Sequence, residues 1–401
     1  MFTAEEKKRI KKCYDMALDR ITNTNIKCFE GHEKPLFLIS DTYPGVWLEH
    51  AYDSVFLAKL DNRYLEIAKN TLCLFLNNQK ANGQLPCYVI DKSKGSGLPE
   101  FGYSQIQECV SFNRLCYEYY EMSDDIEFLK YAYDKCVKWQ NWYETVRMSN
   151  GNGLIEMFCG YDTGHDNSCR LEGVKYWGVA KNMDACEYPE DDDVLPIIAP
   201  DVNAVYYGNL TALVCMANAL DNRDDAEKWS IKAENIKERL FKVCFDEEDL
   251  FFYDVDKNKN KRKHLSISIT NVLSEHLPDR KLAEEIIKRH IINPDEFYTE
   301  FPFPAIAKSD IGFERNREGN SWNYYSQALT LLRCTRWMDY YGFSKDFDTV
   351  LEKWVRQWAF SETILFGQEL DPFTGEPSVC SQWYSSCMLV YIYAVKRLEI
   401  L

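Results

Sequence analysis

Two stretches of this chain hold carboxylates where no apolar periodicity explains them. Residues 160–170 read GYDTGHDNSCR, with Asp162, His165 and Asp166 among glycines. Residues 366–384 read FGQELDPFTGEPSVCSQWY, with Glu369, Asp371 and Trp383. Other loops add Trp47, Tyr52 and Asp53 in WLEHAYDSVF, Gln105 and Gln107 in YSQIQECVSF, Asp201 and Asn203 in APDVNAVYYGNL, and Trp322 in NREGNSWNYYSQ. Asp beside Gly is first a turn or cap residue, and that reading suits Asp162 and Asp371. The combination says more. Two carboxyls on separate loops, with Trp, Gln and Asn nearby, suit cleavage of a glycosidic bond. One must stay protonated to protonate the departing oxygen, and an apolar pocket raises its pKa for that purpose. The other must be ionised to activate water. Amides donate to and accept from sugar hydroxyls, and indole faces stack on a pyranose.

The elements that would position these residues are helical. In DDAEKWSIKAENIKERLFKVC, Trp229, Ala233, Ile236 and Leu240 fall on one stripe. In SDDIEFLKYAYDKCVKWQNWYETV, Ile126, Leu129, Tyr133 and Val137 do the same, and Asp124 with Glu127 resembles a capping box. Similar patterns predict helices over about 5–21, 49–60, 64–78, 104–121, 204–220, 280–290, 322–341, 345–360 and 382–399. Gln105 and Gln107 would then sit at a helix start. Some connectors are tight, as in LDNR at Leu60–Arg63 and again at Leu220–Arg223. Others, about 30–48, 79–103, 148–203, 291–321 and 361–381, are long and rich in Gly, Pro, Asn and aromatics. Short turns alternating with long loops suggest stacked helical hairpins, and six of them fit 401 residues. The expected fold is an all-α (α/α)6 toroid forming a single domain over 1–401, with function on the long-loop face. Residues 250–268 read as a small exposed hairpin around a basic, solvated turn. An open helical solenoid would show more self-similar repeats.

Composition narrows the partners. Net charge is −16, which disfavours nucleic acid and anionic membrane. No apolar run approaches the roughly 20 residues of a membrane span. Fifteen scattered cysteines without a Cys-x-x-Cys pair, behind a charged N-terminal segment unlike a secretory leader, point to reduced thiols in a cytoplasm. Six scattered histidines make a transition-metal site an unneeded assumption, and no glycine-rich phosphate loop calls for a nucleotide cofactor. The acidic run YPEDDDVLP could hold Ca²⁺ but reads first as a solvated turn. No metal and no cofactor are expected.

The ordered motifs resemble the six-hairpin glycosidases of glycoside hydrolase family 63, mannosylglycerate-hydrolase-like branch, with trehalases more distant. WLEHAYDSVF is similar to the family's Trp-rich segment ending in Trp-Asp, with Tyr52 for the second Trp. QKANGQLPCYV resembles its Gln-x-x-Asp-Gly-x-x-Pro loop, with Asn82 for Asp. Gln105 matches a Gln-Pro-Pro segment whose prolines are absent. NGNGLIEMFCGYDTGHDNSCR resembles the stretch ending Ser-Gly-Trp-Asp-x-Ser-Pro-Arg, with His165 for Trp and Cys169 for Pro. PDVNAVYYGNL resembles the Val-Asp-Leu-Asn helix start. EGNSWNYYSQAL keeps Trp322 of a Trp-Arg-Gly-x-x-Trp segment. In the late motif the family places its base four residues before Pro, where this chain has Gln368, with Glu369 one step nearer Pro372.

The resemblance implies an inverting, exo-acting glycosidase. Asp166 would be the general acid, supported by Ser168 and Arg170, and Glu369 the base. The two carboxyls should lie about 6.5–9.5 Å apart. Trp47, Tyr52, Asp53, Gln105, Gln107, His165, Arg170, Asn203, Trp322 and Trp383 would bind substrate. That substrate would be a small glycoside or oligosaccharide with a terminal α-linked glucose or mannose. Two alternatives stand beside this: a sugar epimerase or isomerase on the same toroid, and a relative that binds carbohydrate without catalysis.

Overall fold

A computed structural model of the chain describes residues 2–401 except 41, 108, 179–184, 186, 188–189 and 315–319. Residues 316–319 of the Trp322 motif and 188–189 of the acidic run therefore lie outside the described residues. The chain forms two compact units, one of residues 45–264 and one of residues 1–44 with 265–401.

Twelve α-helices are present among the described residues. Helix α1 (Ala4–Arg20) belongs to the split unit. The continuous unit holds α2 (Ala51–Leu60), α3 (Leu65–Asn77), α4 (Phe112–Ser123), α5 (Ile126–Val146), α6 (Pro200–Ala219) and α7 (Arg223–Cys244). The split unit resumes with α8 (Ile269–Ser274), α9 (Arg280–Ile286), α10 (Ala328–Arg333), α11 (Ser344–Phe360) and α12 (Ser385–Arg397).

In the continuous unit the helices form three hairpins. Both LDNR repeats make the tight junctions expected of them: Asp61 accepts from the Arg63 amide, and Asn222 caps α7 by accepting from Asp225. α5 is capped by Asp125, whose carboxylate accepts from Phe128, while Asp124 closes α4 with φ +53°. The expected capping box at Asp124–Glu127 is thus displaced by one residue. In the first and third hairpins the two helices differ. α2 and α6 are apolar nearly all round and buried on almost every face. α7 is amphipathic and buries Trp229, Ala233, Ile236 and Leu240, as its periodicity requires. On α5 the buried face runs through Leu129, Tyr133, Cys136 and Trp139, and Ile126 lies outside it. In the split unit α8, α10 and α12 are the buried helices, and α11 packs an amphipathic face against α1 and α12.

Two predicted helices are shorter than their patterns. The 104–121 pattern becomes helix only at Phe112, so Gln105 and Gln107 sit in the preceding loop. The 322–341 pattern yields α10 and one 3₁₀ turn, Cys334–Arg336. Just before the first pattern, Phe101–Gly102 joins Gly45–Trp47 and Tyr88–Ile90 in an antiparallel sheet; within the second, Ser326–Gln327 pairs with Glu369–Leu370. Gly45 is needed in that sheet, since a Cβ there would fall 2.1 Å from the Val89 carbonyl oxygen. No helix among the described residues is long and apolar enough to cross a membrane.

Candidate functional site

In the continuous unit the long loops 78–111 and 147–199 are held by buried ion pairs. Asp162 is fully buried. It takes a 2.6 Å bond from Arg147 and accepts from the amides of Ile106, Phe158 and Cys159. It ties the Gln105–Gln107 loop to its own, a structural role in keeping with its turn-like sequence context. A 3₁₀ turn, Gly160–Thr163, then leads through Gly164 (φ +69°) into His165 and Asp166. His165 is buried and Asp166 partly exposed. Burial, and then the Asp166 carboxylate, push the Tyr161 hydroxyl above its ordinary pKa.

Behind that loop lies the Arg170 guanidinium, 1% exposed. It makes two 2.8 Å bonds to Asp201 and bonds of 2.7 and 2.6 Å to Asp254. Burial raises the pKa of each carboxylate, and Arg170 lowers it. At Asp201 the lowering wins, to about 2, because beyond Arg170 the His165 ring, where it carries charge, and the donating Thr163 hydroxyl also lower it. At Asp254 burial wins and the pKa rises.

The other predicted residues of this unit divide in two. Asn203 is committed to backbone: its Oδ1 accepts from Ile155 N, and its Nδ2 donates to the carbonyls of Ile155 and Ala199. Arg170 is likewise committed, to carboxylates of its own unit. By contrast Gln107 (φ +50°) has a buried side-chain oxygen that meets no donor among the described residues. Gln105, Tyr52 and Asp53 are buried, with Tyr52 stacked on Phe56, and Trp47 is half-buried 5.5 Å from the Tyr88 ring. The acidic run is a turn built on Asp192, which accepts from the amides of Lys175, Val194 and Leu195.

In the split unit the late motif forms a strand, so consecutive side chains face opposite ways. Glu369, 1% exposed, accepts a 2.6 Å bond from the Gln327 amide and a 2.7 Å bond from the Ser378 hydroxyl. Burial drives its pKa up to about 7, and these two neutral donors offset only part of that. Gln368 meets a different set. Its Oε1 accepts from Tyr43 and Cys380, and its Nε2 donates to Asn320. Asp371 is a turn residue, accepting from the amides of Phe373 and Thr374 and from the Tyr324 hydroxyl. Trp322 is buried; Trp383 (φ +53°) lies with the Arg20 guanidinium 5.1 Å above its ring.

Sequence reasoning passed over Asp254, Gln327, Ser378 and Tyr43. Gln327 and Ser378 stood inside quoted motifs. Asp254 had no signal, and the exposed-hairpin reading of 250–268 needs correction: strands Asp254–Val255 and Lys261–Arg262 pair around an exposed turn, but Asp254 and Val255 are buried.

Helical hairpins with carboxyls, amides and indoles on their long loops describe the all-α glycosidase class, and solved structures agree. The GH63 mannosylglycerate hydrolase from Thermus thermophilus, in complex with glucose, superposes with a TM-score of 0.75 at 15% identity, covering 95% of this chain and 99% of that one. The neutral trehalase of Saccharomyces cerevisiae gives 0.70 at 14% identity, covering 90% and 73%. These likenesses carry the (α/α)6 fold class. The chain belongs to the mannosylglycerate hydrolase MGH1-like glycoside hydrolase family, whose profile matches residues 43–386. A curated relative, an uncharacterized protein of Borreliella burgdorferi, is 24% identical over 144 residues. That match spans 36% of this chain and 29% of the relative's length.

Proposed function

We propose that this protein is an inverting, exo-acting glycoside hydrolase that removes a terminal sugar from a small glycoside. Asp166 acts as general acid and Glu369 as general base. The reading is supported above all by the Glu369 carboxyl. It is desolvated, held by two neutral donors and poised near pH 7, where a general base works best. Asp166 sits at the partly exposed end of a loop braced by two buried arginines, Arg147 and Arg170. Protonation of the leaving oxygen by Asp166 and attack of water activated by Glu369 on the opposite face would give a product of inverted configuration. Gln105, Gln107, Asp53, Tyr52, Trp47, His165, Trp322 and Trp383 remain the proposed substrate contacts. Mannosylglycerate, glucosylglycerate and trehalose are the first candidates, because the similar solved enzymes are a mannosylglycerate hydrolase and a trehalase. A cytoplasmic setting belongs to the same reading.

The test is a panel of α- and β-linked disaccharides and glycosylglycerates, offered to wild type, Asp166→Asn and Glu369→Gln, with the product anomer followed by NMR. Loss of turnover in both variants and an inverted first product support the reading. Retention of configuration, or wild-type turnover in either variant, ends it.

A second reading rests on Gln368, which occupies the family's base position and is an amide. If that position is the one that meets water, the chain binds carbohydrate without hydrolysing it. Gln368→Glu would then create hydrolysis that wild type lacks.

A further inference from the structure

Arg170 has five N–H donors, and each has an acceptor in the continuous unit. Nε donates to Asp254 Oδ2, and Nη2 to Asp201 Oδ1 and Asp254 Oδ1. Nη1 donates to Asp201 Oδ2 and, at 3.2 Å, meets Nδ1 of His165. A guanidinium cannot accept a hydrogen bond, so Nδ1 must be the acceptor and carry no proton. A hydrogen bond there requires the neutral Nε2–H tautomer of the imidazole, on the residue next to Asp166.

The same guanidinium anchors both ends of the Asp166 loop. Three residues before Asp166, Thr163 donates to Asp201; four residues after it stands Arg170 itself. The hairpin of residues 254–262 completes the grip. Asp254 and Arg262 are cross-strand partners. Asp254 holds the Arg170 side chain, while Arg262 donates to the carbonyls of Arg170 (2.8 Å) and Glu172 (2.5 Å).

We propose that Asp254 and Arg262 are positioning residues: acting through Arg170, the hairpin they belong to sets the Asp166 loop and holds His165 as its neutral Nε2–H tautomer. The chemistry gives this a purpose. A cationic imidazole beside a carboxyl favours the ionised carboxylate, and a general acid must keep its proton. Holding His165 neutral adds no charge beside Asp166, and the Arg170 cation is already matched by two carboxylates. The inference rests on the proposed role of Asp166 for its effect on turnover, but the tautomer assignment does not.

Two measurements test it. Imidazole ¹⁵N shifts at neutral pH, with His165 assigned by comparison with His165→Gln, should show wild-type His165 as the Nε2–H tautomer, and Asp254→Asn should lose that uniformity. Steady-state kinetics should show kcat of Asp254→Asn lowered on the order of 100-fold with KM nearly unchanged, the size expected from a small misplacement of a catalytic group. Arg262→Met, whose side chain is only partly buried, should lower kcat several-fold with KM unchanged and serves should Asp254→Asn fail to fold. An Nδ1–H or doubly protonated His165 in wild type overturns the proposal, as does wild-type kcat in folded Asp254→Asn or in Arg262→Met. Undiminished turnover in Asp166→Asn would instead sink the acid assignment and leave the tautomer standing.

Discussion

The Arg170 cluster and the Glu369 pocket are both almost fully buried and both acidic, yet they handle charge in opposite ways. Around Arg170 the guanidinium donates to both carboxylates and holds Asp201 ionised down to a pKa of about 2, although burial still lifts Asp254. Around Glu369 the hydrogen-bond partners among the described residues are a hydroxyl and an amide, and the pKa rises to about 7. A carboxylate held low by a buried cation, as Asp201 is, does not change state near neutral pH and so serves to hold chain in place. A carboxyl solvated only by neutral dipoles is costly to ionise and stays ready to exchange a proton. Burial alone does not mark a functional carboxylate; the charge of its partners does.

The largest effects separate the acid and base from their supports. Asp166→Asn and Glu369→Gln should each lower turnover about 10²–10⁴-fold, the usual worth of a general acid or base, with folding intact by circular dichroism. Equal losses from Asp162→Asn without loss of stability would erase the contrast, because Asp162 is paired to Arg147 like the carboxylates of the Arg170 cluster.

Stability should divide the two regions next. Arg170→Met leaves Asp201 and Asp254 buried without a counter-charge, so urea unfolding should show a loss of about 3–5 kcal/mol. Glu369→Gln should act in the other direction, and only at higher pH. The folded pKa lies above the ordinary 4.5, so the folded state binds the extra proton between about pH 4.5 and 7. Wild type therefore loses stability as pH rises through that window, by roughly 3 kcal/mol relative to Glu369→Gln between pH 4 and pH 8. A pH-independent difference between the two proteins would contradict the raised pKa.

The pH profile gives a finer test. The acidic limb of kcat/KM should have its midpoint near pH 7, since the base works ionised. Ser378→Ala removes a donor that favours the ionised form, so the midpoint should move upward, by up to about one unit. A downward shift would mean that Ser378 does not stabilise the carboxylate.

Much of the scaffold was legible from local pattern. Helix α7 could be read from Trp229, Ala233, Ile236 and Leu240, because an amphipathic helix writes its period into the chain. The LDNR turns were legible because Asp and Asn act on amides two or three residues away. Helix starts after strand-forming loops were not. Helical periodicity over 322–327 gave way where Ser326–Gln327 pair with Glu369–Leu370, and that over 104–111 where the Ile106 amide bonds to distant Asp162. Asp371 was legible as turn-like because it accepts from nearby amides, and Asp162 in part, since it accepts from Phe158 and Cys159 as well as from distant Ile106 and Arg147.

By itself the amino-acid order determined the helical hairpins, their tight turns, and which loops carry the chemistry-bearing residue types, all of which depend on neighbours within a few positions. Tertiary structure alone decided that Asp254, 84 residues beyond Arg170, belongs to its cluster, that Asn203 is committed to backbone, and that Glu369 is the carboxyl left with neutral partners. The physical reason is range. Periodicity and capping are local, whereas desolvation and charge pairing depend on what distant segments bring to the same few ångströms.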